Sequence, residues 1–352
     1  MGKLAVYKYF SFLFLVATFA IAGFTIYGLY GGDVRPAGNM ARALLVYALP
    51  LFIIANVVML AYWLIRRSWH WAVIPALTIL CCIPYMGTIV QIGSQPKDAD
   101  AKAGIKVATY NVAMFGRETT GFIAQDILAE MRRQKVEVFC IQEYNDRSGD
   151  QINSEKYKDY FPYVAQGRHD MMIFSRYPII RHKTIKFDMT NNSAMWADID
   201  VNGHPFRVYN VHLETTGING TLHRAAKQRM LGFNLQENRL FSSLYGNYTM
   251  EMVVRARQAE TIAQEIRNSK TPAIVCGDFN DVPYSYVYNT ILGDLVDGFK
   301  ECGHGWMYTF RGGKKTVRID YIFHDKALKG LDYYRHGLTY SDHFPVFMKL
   351  EI

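Results

Sequence analysis

Three stretches of the chain, residues 9–30, 43–65 and 71–92, contain no Lys, Arg, Asp or Glu. A charge-free apolar run of about 20 residues is what a helix rising about 1.5 Å per residue needs to cross some 30 Å of hydrocarbon. Three membrane-spanning helices are therefore expected. Tyr27, Tyr30, Tyr62, Trp63, Trp69 and Trp71 gather near the ends of the runs, where amphipathic rings prefer the headgroup layer. A cleaved leader is the competing explanation, since Lys3 and Lys8 precede the first run and Ala20-Ile21-Ala22 has the small-residue form of a cleavage site. The run continues past that point and two more follow, which favours anchoring. Lys3, Lys8, Arg66 and Arg67 put the N-terminus and the second loop in the cytoplasm, and three crossings then carry the rest of the chain outside. Arg35, Arg42, Lys97 and Lys102 pull the other way.

The formal charge of the chain is +8. Residues 1–96 hold six Lys or Arg against Asp33 alone, leaving 33 basic and 30 acidic groups for the remainder. Most of the excess thus flanks apolar runs, and the charge case for a nucleic-acid partner is weak. Five scattered cysteines lack the paired spacing of a zinc ribbon or a cystine framework. Residues 93–104 (GSQPKDADAKAG) are small, polar and proline-containing, the composition of a linker. The organisation expected is a three-helix transmembrane module over 1–92, a linker over 93–104 and a soluble domain over 105–352.

Beyond residue 105 short β-rich runs alternate with turn signals and helical stretches. Strands are expected at 105–112, 136–142, 170–174, 194–201, 206–212, 273–276, 318–323 and 344–352, and helices at 122–134 and 252–269. This is a mixed α/β domain large enough to bury its own core. Residues 215–250 interrupt the rhythm, with helix expected between 221 and 244; the stretch reads as a lid, a membrane-facing surface or a decoration.

The strand ends carry the unusual residues. Period-2 alternation puts Asn210, His212 and Glu214 on one face and Tyr209, Val211 and Leu213 on the other. The apolar run from Ala273 stops at Gly277 and presents Asp278 and Asn280; similar runs end in Asn111 and in Glu143. Asp320 lies inside a strand, and Asp342-His343 sits on a turn before the last one. Polar groups emerging from buried strands cost free energy unless they bind something. Singly each has a plainer explanation: Asn111 as a cap, Glu143 as a surface acid, Gly-Asp-x-Asn as a capped turn, Asp320 paired to Arg318, His343 as a satisfied core imidazole. Six such endings in one domain are hard to explain as caps.

The order TYN, IQE, NVHLE, GDFND, RIDY, SDHFPV resembles the endonuclease/exonuclease/phosphatase superfamily, which includes deoxyribonuclease I and neutral sphingomyelinases. The apolar N-terminus further resembles its membrane-attached bacterial members, implying a bacterial inner membrane; the three crossings and loop charges above put the domain on its extracytoplasmic side. The resemblance implies a four-layer α/β/β/α sandwich of two mixed sheets, deoxyribonuclease I-like, and a metal-dependent phosphoric ester hydrolase. It implies Glu143 as principal ligand of Mg²⁺, with Mn²⁺ as an alternative, and Asn111 and Asp342 nearby. Oxygen donors suit such hard cations, and the sequence has no multi-His or Cys cluster of the kind zinc prefers. By the same resemblance Asp278 orients or deprotonates the attacking water, or holds a second metal. Asn280 donates to the phosphate; His343, backed by Asp320, contacts it or transfers a proton; His212 works from the other side. The NVHLE form departs from the Tyr-containing motif of abasic-site repair enzymes, which puts DNA repair in doubt.

The partners implied are the bilayer and a phosphate ester, lipid headgroup or nucleic acid being undecided. Two competing classes are a membrane-tethered Mg²⁺-dependent nuclease and a catalytically idle receptor or scaffold. The presence of both His212 and His343 speaks against the second, because binding alone needs neither.

Overall fold

A computed structural model describes residues 3–93, 103–113, 124–144, 158–168, 171–188, 190–216, 226, 230, 237–312, 317–338 and 340–351. The chain divides into two compact units: Met1–Thr88 with Pro283–Asn289, and Ile89–Val282 with Thr290–Ile352. Most of the expected linker, residues 94–102, lies outside the described residues.

The first unit contains helices α1 (Lys3–Leu29), α2 (Met40–Ile65), α3 (Trp69–Cys81) and the single turn α4 (Ile83–Met86). Among the described residues, α1 and α2 alone are long and apolar enough to cross a membrane. The third expected span is corrected: α3 has 13 residues and, at about 1.5 Å per residue, rises about 20 Å, short of the hydrocarbon thickness. Pro50 and Pro75 are accommodated inside α2 and α3, so proline alone does not end a helix here. Pro84 lacks the N–H that would bond back to Leu80, and the chain turns extended by Val90, which leaves α4 a single turn beyond Cys82. Helices α1 and α2 are joined by buried polar contacts: Asn56 Nδ2 donates to Thr25 Oγ1 at 2.8 Å and Trp63 Nε1 to Thr18 Oγ1 at 2.9 Å.

The second unit opens with β1 (Val90–Gln91), followed by β2 (Ile105–Asn111), β3 (Val138–Gln142), β4 (Tyr163–Gln166), β5 (Met172–Ser175), β6 (Ile179–Lys186) and β7 (Ser193–Val201). It continues with β8 (His204–His212), β9 (Ala273–Asp278), β10 (Val296–Asp297), β11 (Gly305–Trp306), β12 (Asp320–His324), β13 (Lys329–Arg335) and β14 (Val346–Glu351). The first sheet runs β13-β14-β2-β3-β5-β4 and the second β10-β12-β9-β8-β7-β6. Each is mixed: β2/β3 and β8/β9 are parallel and the other neighbours antiparallel. Helices α5 (Ala124–Arg133) and α6 (Glu237–Arg267) are the crossovers that a parallel pair requires. A small ribbon pairs β1 with β11, reinforced by Met307 N–H donating to Ile89 O at 2.8 Å.

One core cluster fills the space between the sheets, with Val107, Val138, Cys140 and Ile173 from the first and Ile199, Val208, Ile274 and Ile322 from the second. Another joins the outer face of the first sheet to α5, through Ala108, Tyr110, Phe139 and Ile141 against Ile127, Leu128 and Met131. On the far side α6 covers the second sheet, and the Tyr209 hydroxyl donates to Glu265 O at 3.0 Å. This is the expected α/β/β/α layering. Central strands buried on both faces read as continuous apolar runs rather than alternating ones, as in the wholly buried VFCIQ of β3.

Candidate active site

Parallel neighbours finish at the same edge of their sheet, so β2/β3 deliver Asn111 and, just past the strand, Glu143, while β8/β9 deliver His212 and Asp278. The register sets His212 opposite Asp278. Gly277 makes that approach possible: its φ is 138°, and a Cβ there would lie 1.9 Å from Val211 O, closer than any side chain tolerates. Two further segments run antiparallel and enter at the same edge. β12 begins with Asp320 opposite Asp278. β14 follows His343 closely and starts with Val346 opposite Thr109.

The side chains meet. Asn111 Nδ2 donates at 3.0 Å to Glu143 Oε1 and at 3.0 Å to Asp278 Oδ2, joining the two sheets. His212 Nε2 lies 3.6 Å from Glu143 Oε1, and His343 Nε2 3.6 Å from Asp278 Oδ2. The other nitrogen of His343, Nδ1, is 3.0 Å from Asp320 Oδ2. Asp320 is therefore not Arg318's partner; Arg318 is fork-bonded to Asp297 at 2.6 and 2.8 Å. Asn111, Asp278 and Asp320 are almost wholly buried, as are His212 and His343. The Glu143 side chain keeps 28% of its surface open. Glu143 also has φ 56°, a left-handed backbone that is costly for a long side chain and concentrates at functional sites.

Burial and the nearby Asp320 push the Asp278 carboxyl up to about 6, against the opposing pull of His343 and His212. For His343, burial favours the neutral ring, but Asp320 and Asp278 outweigh it and hold the imidazole up to about 10. At neutral pH the pair is thus an ionised carboxylate beside an imidazolium.

Two expected residues sit differently from the rest. Asn280, at φ 51°, donates its backbone N–H to Asp278 Oδ1 at 2.8 Å and its side-chain Nδ2 to Leu213 O at 3.0 Å. Asp342 is exposed beside buried His343, and its backbone carbonyl accepts from Arg311 N–H at 2.9 Å. Supporting residues were not singled out from sequence. Gln142 Nε2 donates to Thr109 Oγ1 at 2.9 Å and to Asn210 Oδ1 at 2.6 Å, fully buried between the sheets under the site. Thr309 Oγ1 accepts the Asp320 N–H at 3.0 Å. Gln142 shares an inward face with Cys140, and an amide on such a face was the available signal.

A hard divalent cation fits this chemistry. Asp278, Asp320 and His343 present ligand atoms within 4.8 Å of one another, but His343 already bonds Asp320 and carries a proton. Glu143, with an open carboxylate, is the more accessible oxygen donor; buried Asn111 turns its Nδ2 to it and its Oδ1 to the Ala113 N–H at 3.0 Å, and the neighbouring acids Asp278 and Asp320 favour a positive charge there. Beyond Glu214, on the extension of β8 past His212, a surface groove of about 680 Å³ opens among Arg168, Thr190, Asn192 and Glu251.

The same sandwich occurs in solved structures. A humanised form of TDP2 from D. rerio, 16% identical, is covered over its full length by 71% of this chain with a TM-score of 0.52. An endonuclease/exonuclease/phosphatase from Beutenbergia cavernae, 17% identical, aligns 71% of this chain with 72% of its own at a TM-score of 0.52. One from Bacteroides vulgatus, 17% identical, is covered in full by 71% of this chain at 0.50. At these identities the likeness establishes the fold, a two-sheet α/β sandwich. Residues 108–343, well over half of the sequence, match the profile of the Endonuclease/Exonuclease/phosphatase family, and the chain belongs to that family. Residues 11–89 match a Domain of unknown function (DUF8431). No curated protein matches the chain.

Proposed function

We propose that the protein is a membrane-anchored, divalent-metal-dependent phosphoesterase whose site is the rim where the two sheets meet. One observation carries this reading: Asn111, Glu143, His212, Asp278, Asp320 and His343, from six separate segments, are linked by successive contacts of 3.0–3.6 Å.

Glu143 and Asn111 would hold the cation, with Asp342 at the exposed margin. When bound, the cation offsets phosphoryl negative charge and polarises the P–O bond. Asp278 accepts a proton from the attacking water, a task suited to a carboxyl with its affinity raised toward 6. His343, oriented through Nδ1 by Asp320, donates from Nε2 to the phosphate. His212 approaches from the Glu143 side, and the second amide hydrogen of Asn280 is the donor assigned to the phosphate. The groove beside Glu214 is the adjoining space for the organic part of the ester. The products of such hydrolysis are an alcohol and a phosphate group.

Anchoring rests on the stretches Tyr7–Asp33 and Met40–Ile65, carried by α1 and α2, which are strongly apolar yet mostly uncovered, with only 28% and 22% of their most apolar segments buried. Helices apolar all round and largely uncovered suit lipid rather than water. Sidedness follows from the parity of crossings: two return the chain to the side of its N-terminus, and a third reverses it. The extracytoplasmic expectation assumed three. A reporter fused after Ile352 reads the side directly.

The activity test uses the full chain in nanodiscs. Phosphomonoesters, phospholipids, plasmid DNA and RNA are offered with Mg²⁺ and with EDTA, alongside His343→Ala. Hydrolysis of one class, lost with EDTA and with the substitution, is expected. Indifference to both would refute the reading, and cleavage of nucleic acid that weakens steeply with salt would favour the nuclease.

A further inference from the structure

Helix α6 carries a charge where its face is apolar. Arg255 is wholly buried, alongside Met252, Ala256 and Ala259 of the same helix. Its Nε lies 3.5 Å from Asp281 Oδ2, itself buried, and its Nη1 donates to Glu214 O at 3.3 Å and Thr215 O at 3.2 Å. A methionine would fill such a volume without the desolvation cost of an ion pair. Packing alone therefore does not account for an arginine here.

The acceptors show what the arginine does. Glu214 and Thr215 belong to the segment leaving β8 just after His212, and Asp281 to the turn leaving β9 just after Asp278 and Asn280. The two segments are also stitched directly, by Leu213 N–H to Asp278 O at 3.1 Å and Asn280 Nδ2 to Leu213 O at 3.0 Å. One turn along α6, Gln258 Oε1 accepts the Glu214 N–H at 2.8 Å. A guanidinium is a rigid planar fork that can serve a carboxylate and two carbonyls in different directions, whereas an ammonium is a point charge.

We propose that Arg255 is a positioning residue: it touches no reacting atom, and it fixes the segments bearing His212 and Asp278–Asn280 against each other through Glu214, Thr215 and Asp281. The proposal rests on the phosphoesterase reading above. A displacement of about 1 Å in such a constellation costs about 100-fold in turnover, while substrate affinity depends on it far less.

The test uses the full chain in nanodiscs with Mg²⁺, reading kcat and KM on bis(4-nitrophenyl) phosphate and 4-nitrophenyl phosphate. The variants are Arg255→Lys, Asp281→Asn, and the pair Arg255→Met with Asp281→Leu, which removes both charges so that neither is orphaned. The paired variant is expected to unfold near the wild-type temperature while kcat falls by about 10- to 100-fold and KM changes less than about threefold. Arg255→Lys and the isosteric Asp281→Asn should fall between it and wild type. Any folded variant among the three with kcat within twofold of wild type would overturn the clamp, as would a loss of kcat that merely tracks loss of melting temperature. A wild-type chain inactive on both probes overturns the phosphoesterase reading and the clamp with it. An active wild type with unchanged variants overturns the clamp alone.

Discussion

The two six-stranded sheets are built to one plan and finished differently. Reading β13-β14-β2-β3-β5-β4 beside β6-β7-β8-β9-β12-β10, the sequence of antiparallel and parallel neighbours is the same, with one helix crossing over between the central pair. The first sheet ends its pair in an amide and an open carboxylate, Asn111 and Glu143. The second ends its pair in an imidazole and a carboxylate, His212 and Asp278, that are both nearly sealed from solvent. Then the halves trade parts: His343, at the margin of the first sheet, bonds Asp320 and faces Asp278, both of the second. On the proposed reading an identical frame would provide a cation-holding side and a proton-handling side, each needing the other.

Substitutions can break each side separately. The largest effect is expected from Asp278→Asn, which removes the proton acceptor; kcat should drop by about 10²–10⁴ while metal affinity, read by Mn²⁺ titration, changes little. Glu143→Gln should do the converse, weakening metal binding by at least about 100-fold with little change in melting temperature, because its side chain is partly open.

Gly277→Ala attacks the frame itself. A Cβ 1.9 Å from Val211 O must push β8 from β9, and overpacking of this kind costs about 1–3 kcal/mol, measurable by denaturant titration.

The pH profile sharpens the proton-handling side. Activity should rise as Asp278 loses its proton near 6 and fall as His343 loses its own near 10, giving a bell between them. The stability signs differ. The His343 contribution is complete below its ordinary value of 6.5 and disappears as pH climbs through about 10. Asp278, raised from 3.8 to about 6, binds its proton more tightly when folded, so stability falls as pH rises across that interval. Asp320→Asn removes the first of the charges that raise His343, and the descending limb should move down toward the ordinary imidazole range. The smallest effect is expected from Thr309→Ala, which deletes an acceptor for the Asp320 N–H at about 0.5–1.5 kcal/mol, seen as a modest loss of stability.

Legibility in the sequence followed burial. Strands buried on both faces were found, because nothing but apolar residues serves there. Among the strands missed, β4 buries one residue of four, and β6 exposes Ile180, Arg181, His182 and Lys183. An edge strand earns no apolar pattern, and its existence is decided by a neighbour's unpaired hydrogen bonds. The third membrane span failed for a related reason. Hydropathy counts apolar residues but not the bonds that keep them in one helix, and the run 71–92 contains the break at Cys82 and the start of β1. At the site, the strand-end residues stood out because polar groups there contradict their surroundings. Arg255 contradicts its surroundings too, three residues after Met252 and four before Ala259 on the buried face of α6, yet the functional motifs drew attention elsewhere. The helix expected over 221–244 lies partly outside the described residues, which include its end from Glu237 onward.

The pairing of β1 with β11 decides where the protein can be severed. Val90 and Gln91 lie against Trp306 and Gly305, and Ile89 O takes the Met307 N–H, so this edge belongs to the two-sheet unit although it precedes the polar stretch. A protease nick within 94–102 would split the backbone without freeing the β1 ribbon from Gly305–Met307. A fragment meant to keep this ribbon paired should begin at or before Ile89.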